Sequence, residues 1–212
     1  MSAREEILTR IRASLGRANS TGAPAGLPPA RIVIPDVPLE RRIEKFTAAL
    51  EKLNGKVHRA SSRDDARDYV ERLLHGRTAV TSNAPFVAEC GVLTLPNVKP
   101  GGSDPLPLRG MCATLDAGIT SADYALSDTG SLVMLSSNEE ARMVSLLPPL
   151  HIALVPLDRL LTGLDELYSI LPVPSDRTSS MVFITGPSRT ADIEQILVRG
   201  VHGPGEIHVV LV

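Results

Sequence analysis

No tryptophan occurs among the 212 residues, and tyrosine and phenylalanine number three each. Without aromatic platforms, and with a formal net charge of −2, the chain lacks both features that nucleic-acid recognition relies on: stacking surfaces and a basic stripe. Cysteine is nearly as scarce, with Cys90 and Cys112 and no CxxC pair. A four-thiolate iron–sulfur cluster and a four-ligand structural zinc are thereby excluded from this chain, and no metal site is expected. Long hydrophobic runs are missing too. The strongest, Met143 to Leu157, is too short to span a bilayer and holds Pro148, Pro149 and Pro156. The first residues, Ser2-Ala3-Arg4-Glu5-Glu6, are charged and do not read as a signal peptide. These absences predict a cytoplasmic protein with no membrane span and no nucleic-acid partner. What remains, 43% hydrophobic and 22% charged residues, is enough to bury a core without staples.

Two regions are expected. Residues 1–37 read as an amphipathic helix on a linker. Ser2 and Glu5 have capping-box spacing, Ile7, Leu8, Ile11 and Leu15 share a face, and Gly16 stops the helix. The stretch from Arg17 to Pro38 is rich in Gly and Pro and has no apolar period. Residues 38–212 read as an α/β domain. Ile43, Phe46, Leu50 and Leu53 stripe one helix; Ala66, Tyr69, Val70, Leu73 and Leu74 stripe another after Ser62. Short apolar segments alternate with them: Lys56–Ala60, Thr78–Thr81, Val92–Leu95, Ala113–Ile119, Ser131–Leu135, His151–Val155, Met181–Thr185 and Ile207–Val212. That rhythm predicts an open, mostly parallel sheet flanked by helices. Further helices are expected over Glu139–Leu147, from Asp158 through Leu171, and over Ile193, Ile196 and Leu197. Asn97 to Arg109 reads as a loop.

Three places could carry chemistry. The first is Gly186-Pro187-Ser188-Arg189-Thr190, placed between a strand and an expected helix. Gly186 permits close backbone approach, Ser188 and Thr190 offer hydroxyls, and Arg189 can grip a carboxylate or phosphate with paired hydrogen bonds at a helix N-terminus. The plainer reading makes Thr190 or Asp192 a helix cap and Arg189 a solvated side chain. The second is Ser127-Asp128-Thr129-Gly130-Ser131. It reads first as a hairpin turn with glycine at positive φ, and otherwise as a carboxylate and hydroxyls facing the same crevice. An aspartic-protease dyad needs two such triplets, and there is one. The third is histidine. His151 enters an apolar strand and reads as a core residue, while His202, in a Gly-Pro loop, is the better acid–base or ligand candidate. The acidic pair Glu139-Glu140 is assigned no role.

The chain resembles the lactate utilisation protein C family, the stand-alone LUD domain. The likeness rests on Gly118-Ile119-Thr120, Ala122-Asp123-Tyr124-Ala125, Ser127-Asp128-Thr129-Gly130, Arg142–Ser145, Leu146-Leu147-Pro148-Pro149, His151, Ile184–Glu194 and Gly200-Val201-His202-Gly203-Pro204. It is dense from Ala113 to Val212 and looser from Leu39 to Pro107. The resemblance implies a fold similar to the NagB/RpiA/CoA-transferase group and a cytoplasmic part in oxidising L-lactate to pyruvate. It also implies partner subunits that look like iron–sulfur oxidoreductases, so clusters are expected in the partners and no cofactor in this chain. The reading is an accessory or substrate-binding subunit without its own redox centre. In it Thr129, Gly130, Gly186, Ser188, Arg189 and Thr190 hold a small carboxylate or phosphate, and Asp128 and His202 are the catalytic candidates. The alternatives are a free-standing enzyme on a phosphorylated or CoA-linked metabolite, and a small-anion-binding regulatory module.

Overall fold

The computed structural model describes residues 3–16, 33–191 and 197–212, divided between two units, residues 1–32 and 33–212. In the first unit, α1 (Ala3–Ser14) forms where the apolar stripe predicts it, with Glu5 and Glu6 in its first turn and Arg12 in its last, both favourable to the helix dipole. Ile7, Leu8 and Ile11 are exposed on it. Ser2 and residues 17–32 of the expected linker lie outside the described residues.

The second unit runs α2 (Leu39–Lys52), β1 (Lys56–Arg59), α3 (Arg63–Leu74), β2 (Ala79–Thr81), α4 (Pro85–Glu89), β3 (Val98–Pro100), α5 (Pro105–Thr114) and β4 (Ala117–Ser121). It continues with β5 (Tyr124–Leu126), β6 (Ser131–Leu135), α6 (Arg142–Leu146), β7 (Leu150–Val155), β8 (Leu160–Leu161), α7 (Leu164–Ile170), β9 (Met181–Ile184), β10 (Arg189–Ala191), β11 (Leu197–Arg199) and β12 (Glu206–Leu211). Six strands form one sheet in the order β1-β12-β7-β4-β2-β3, with every pairing parallel. Strands covered on both faces read as near-continuous apolar runs, which β7 approaches: all its residues are buried, His151 included.

Helices α3 and α4 cover one face, where Ala66, Val70, Leu74 and Val87 meet Ile119, Ile152, Leu154 and Val210. On the other face Ile43, Phe46 and Leu50 of α2 pack with Ala153, Val155, Val209 and Leu211. A second sheet, β8-β5-β6-β9, shares that cluster through Ala125, Leu132, Met134 and Leu160. Beside it α5 and α6 cover Val80 with Leu108, Cys112 and Val144. Helix α6 can approach because β4 carries Gly118. A Cβ there would stand 1.9 Å from the Val144 carbonyl oxygen.

Several boundaries depart from the sequence reading, each for a local reason. Val92–Thr94 is a 3-10 turn rather than a strand, and the strand is β3, inside the expected loop. It sits at the sheet edge, where Pro100 is tolerated. The rest of that loop holds α5. Asp104 caps it by accepting from the Leu106 amide at 3.1 Å, and Pro105 follows at the first helical position. The strand expected from Ala113 therefore starts only at Ala117. The helix expected over Glu139–Leu147 shortens to α6. Leu160 and Leu161 are strand, parallel to β5, so that helix begins only at Leu164, after Gly163.

Candidate functional site

The expected Asp-Thr-Gly turn is a turn. It joins β5 to antiparallel β6, with Gly130 at φ +68° and its amide donating to Leu126 O at 3.0 Å. A Cβ on Gly130 would lie 2.6 Å from the Leu50 amide nitrogen, so the turn abuts the last turn of α2. Asp128 packs its carboxylate against Gly163 at the start of α7, and the Thr129 hydroxyl accepts from Ser131 Oγ at 2.8 Å.

The segment from Gly186 corrects a sequence expectation. Arg189–Ala191 is β10, paired antiparallel with β11, so the chain enters a hairpin there rather than a helix. Leu197, expected on that helix, lies in β11; Asp192, Ile193 and Ile196 lie outside the described residues. The helix N-terminus expected to cradle an anion is therefore not formed at Thr190. Arg189 donates from Nη2 to Leu53 O at 2.5 Å, and Gly186, at φ +97°, faces Leu53 too. Both are thereby tied to the end of α2.

Ser188 turns the other way. Its amide donates to Pro204 O at 2.8 Å and its carbonyl accepts from the Gly200 amide at 3.1 Å, joining this loop to the one that carries His202. Between the two loops, α6 and β9 lies a pocket of about 210 Å³. Arg142, Ser145, Thr185, Gly186, Ser188 and His202 line it, with Leu146 and Phe183 as apolar wall. Among the described residues no Asp or Glu lines it, and Arg142 has no carboxylate partner there. The structure thus brings Gly186, Ser188 and His202 together and adds Arg142. It places Asp128, Thr129, Gly130 and Arg189 elsewhere; nothing is described of the Thr190 side chain.

A larger cleft, about 660 Å³, opens at the carboxyl ends of β2, β4 and β7, the position where open parallel sheets bind ligands. Its polar lining includes Arg63, Glu89, Asp123, Glu140, Asp158 and Arg159. Glu140 is only 7% exposed. Its Oε1 is buried without a partner, and Oε2 receives only a long 3.4 Å contact from the Ser121 amide. Burial pushes its carboxyl up to about 8, helped by the neighbouring Asp123 and opposed by Ser82 and the Ser121 amide. Asp123 is also raised by burial, although its Oδ2 accepts from the Leu135 amide at 2.7 Å. Glu140 is the residue that sequence reasoning missed. One local signal was present: Ser137 stands three residues ahead, and its Oγ accepts from the Glu140 amide at 3.0 Å.

His151, His58 and His208 are held by contacts within the fold. His151 is wholly buried, its Nε2 2.8 Å from Thr120 Oγ1 and its Nδ1 unpartnered, and burial lowers it to about 4. His58 stacks on Tyr69, whose hydroxyl lies 2.8 Å from His208 Nδ1. The thiols do not form a cluster cradle. Cys90 and Cys112 sit in separate apolar clusters, and burial raises both, Cys90 to about 11. Among the described residues no helix is long and apolar enough to cross a membrane.

Comparison with known proteins fits this architecture. A crystal structure of a DUF162 family protein from Deinococcus radiodurans superposes with a TM-score of 0.64 at 17% identity, covering 82% of this chain and 98% of that one. Lactate utilization protein C of Halalkalibacterium halodurans is 31% identical over 95% of this chain and 94% of its own length. The protein of the same name from Bacillus subtilis is 29% identical over 98% of this chain and 95% of its own. The LUD domain family model matches residues 43–212, and the chain belongs to the LUD domain family.

Proposed function

We propose that this chain is the substrate-holding component of a cytoplasmic L-lactate utilisation system, working beside partner subunits that carry iron–sulfur clusters. Its relatives' name supports the process. The observation that carries the role is the pocket between α6 and the loops of Ser188 and His202, where, among the described residues, one arginine lines the wall with hydroxyls and no acid. A three-carbon hydroxy acid needs one cation for its carboxylate, donors for its hydroxyl and a small apolar wall for its methyl. Arg142, Ser188, and Phe183 with Leu146 supply these in turn.

Oxidation of lactate to pyruvate removes two electrons and two protons. His202 is the group of this pocket able to take the hydroxyl proton. The electrons and the second proton pass to the partners, because the two buried thiols here cannot hold a four-thiolate cluster. In this reading the carboxylate grip belongs to Arg142, while Arg189 secures the loop against α2.

Arg142→Ala is expected to weaken lactate and pyruvate binding about ten- to a hundredfold, the worth of a charge-assisted paired contact. Arg142→Lys restores part of it, since an ammonium keeps charge but loses the planar fork. Calorimetry with both acids checks this, together with lactate-supported growth and recovery of iron–sulfur proteins on affinity purification from native cells. Wild-type affinity in Arg142→Ala contradicts the pocket; recovery of no iron–sulfur partner contradicts the complex.

A further inference from the structure

The larger cleft at the carboxyl ends of β2, β4 and β7 is unsuited to lactate, and its chemistry asks for a different ligand. We propose that this cleft is a second ligand site and that it receives an organic cation, whose ammonium nitrogen pairs with Glu140. Three observations carry the assignment. Glu140 is over nine-tenths buried and lines the cleft, with Oε1 unpartnered and Oε2 holding only the long 3.4 Å contact from the Ser121 amide. A buried polar atom without a partner is a costly defect that a bound donor removes.

The second observation is charge. The groups facing Glu140 around the cleft are Asp123, Glu139, Glu89 and Asp158 against Arg63 and Arg159. Arg63 is already paired with Glu89 at 2.8 Å, and Arg159 lies over the Tyr124 ring with Asp158 at 4.0 Å. The excess is acidic, which repels carboxylates and phosphates and concentrates cations. The third is size. About 660 Å³ accommodates a molecule several times larger than a three-carbon acid, with room for a second nitrogen near Asp123 or Glu139.

The pairing carries a proton cost. In the empty cleft Glu140 keeps its proton to about pH 8. An arriving ammonium group keeps its own protons, Glu140 releases its proton to solvent, and an ammonium–carboxylate pair forms. Affinity for the cation therefore rises as pH approaches 8 and levels off above it, by at most about tenfold per pH unit.

The test compares 1,4-diaminobutane with 1,4-butanediol, which has the same length and no charge. Calorimetry at pH 6, 7 and 8, in buffers of different ionisation heat, is run on the full chain and on Glu140→Gln, with each sample's melt recorded to show that it is folded. The diamine is expected to bind at least about tenfold more tightly than the diol at pH 8, to lose about fivefold by pH 7 and to release a proton. Glu140→Gln should remove most of the preference and the pH dependence between pH 7 and 8, leaving only what the neighbouring acids contribute. Equal binding of diamine and diol, a preference undiminished in Glu140→Gln, or affinity flat from pH 6 to 8 overturns the proposal.

Discussion

Glu140→Gln is expected to raise the melting temperature at pH 8 by on the order of 10 °C and to change it little at pH 5. In the fold Glu140 holds its proton to about pH 8, whereas an unfolded carboxyl releases it near its ordinary value of 4.5. Stability attached to the protonated acid is fully present below pH 4.5 and is lost as pH rises through about 8. The accumulated loss is about 3–5 kcal/mol. Glutamine keeps the shape and polarity of the protonated acid and cannot ionise. His151 limits the opposite side. Burial lowers it to about 4 from 6.5, so the unfolded chain takes up a proton first as pH falls, and about 3 kcal/mol is lost between pH 6.5 and 4. The two effects nearly cancel between pH 4.5 and 6.5, so wild-type stability should be level there and decline above about pH 6.5 and below about pH 4.5. Melts of both proteins across pH 4–9 check this; a stabilisation at pH 5 equal to that at pH 8 contradicts it.

Gly118→Ala is expected to destabilise the fold by about 3 kcal/mol or more, at the top of the range for overpacking. The new Cβ would sit 1.9 Å from the Val144 carbonyl oxygen and 3.0 Å from Pro148 Cγ, so α6 must move off β4. That movement would also carry Arg142, at the start of α6, away from Ser188. Gly110→Ala is the internal comparison. It lies within α5 with nothing within 4 Å of the added methyl, and alanine there should stabilise by about 0.5–1 kcal/mol. Urea unfolding of the two variants gives the order, and its reversal would mean that α6 does not rest on β4 as described.

Much of the frame was legible because it is local. The stripe Ile43, Phe46, Leu50 writes α2, Ser62 caps α3 by accepting from the Asp65 amide, and the apolar runs 152–155 of β7 and 209–211 of β12 announce a sheet covered on both faces. The Asp-Thr-Gly hairpin is equally local, since φ +68° at Gly130 is a property of the turn itself. Failures came where short segments fit both periods. Leu197 was expected on a helix with Ile193 and Ile196, yet it lies in β11, because pairing between β10 and β11 outweighs a weak helical preference. Leu160 and Leu161 were lost to β8 for the same reason.

The sites were less legible because they are assembled from distant segments. Arg142 meets Ser188 and His202 only once α6, β9 and the loop before β12 are in place. Glu140 is buried in the fold, where it meets Ser82 after β2 and Ser121 at the end of β4. In sequence it is one of two adjacent acids, which normally form a solvated turn.

Whether the small carboxylate sits at Arg142 is tested most directly by titrating the isotopically labelled chain with pyruvate and following backbone amide shifts. Saturable shifts are expected at Arg142, Ser188 and His202, lost in Arg142→Ala, with Ser121, Asp123 and Glu140 unmoved. Saturable shifts confined to Ser121, Asp123 and Glu140, or to Thr129 and Arg189, would contradict that placement.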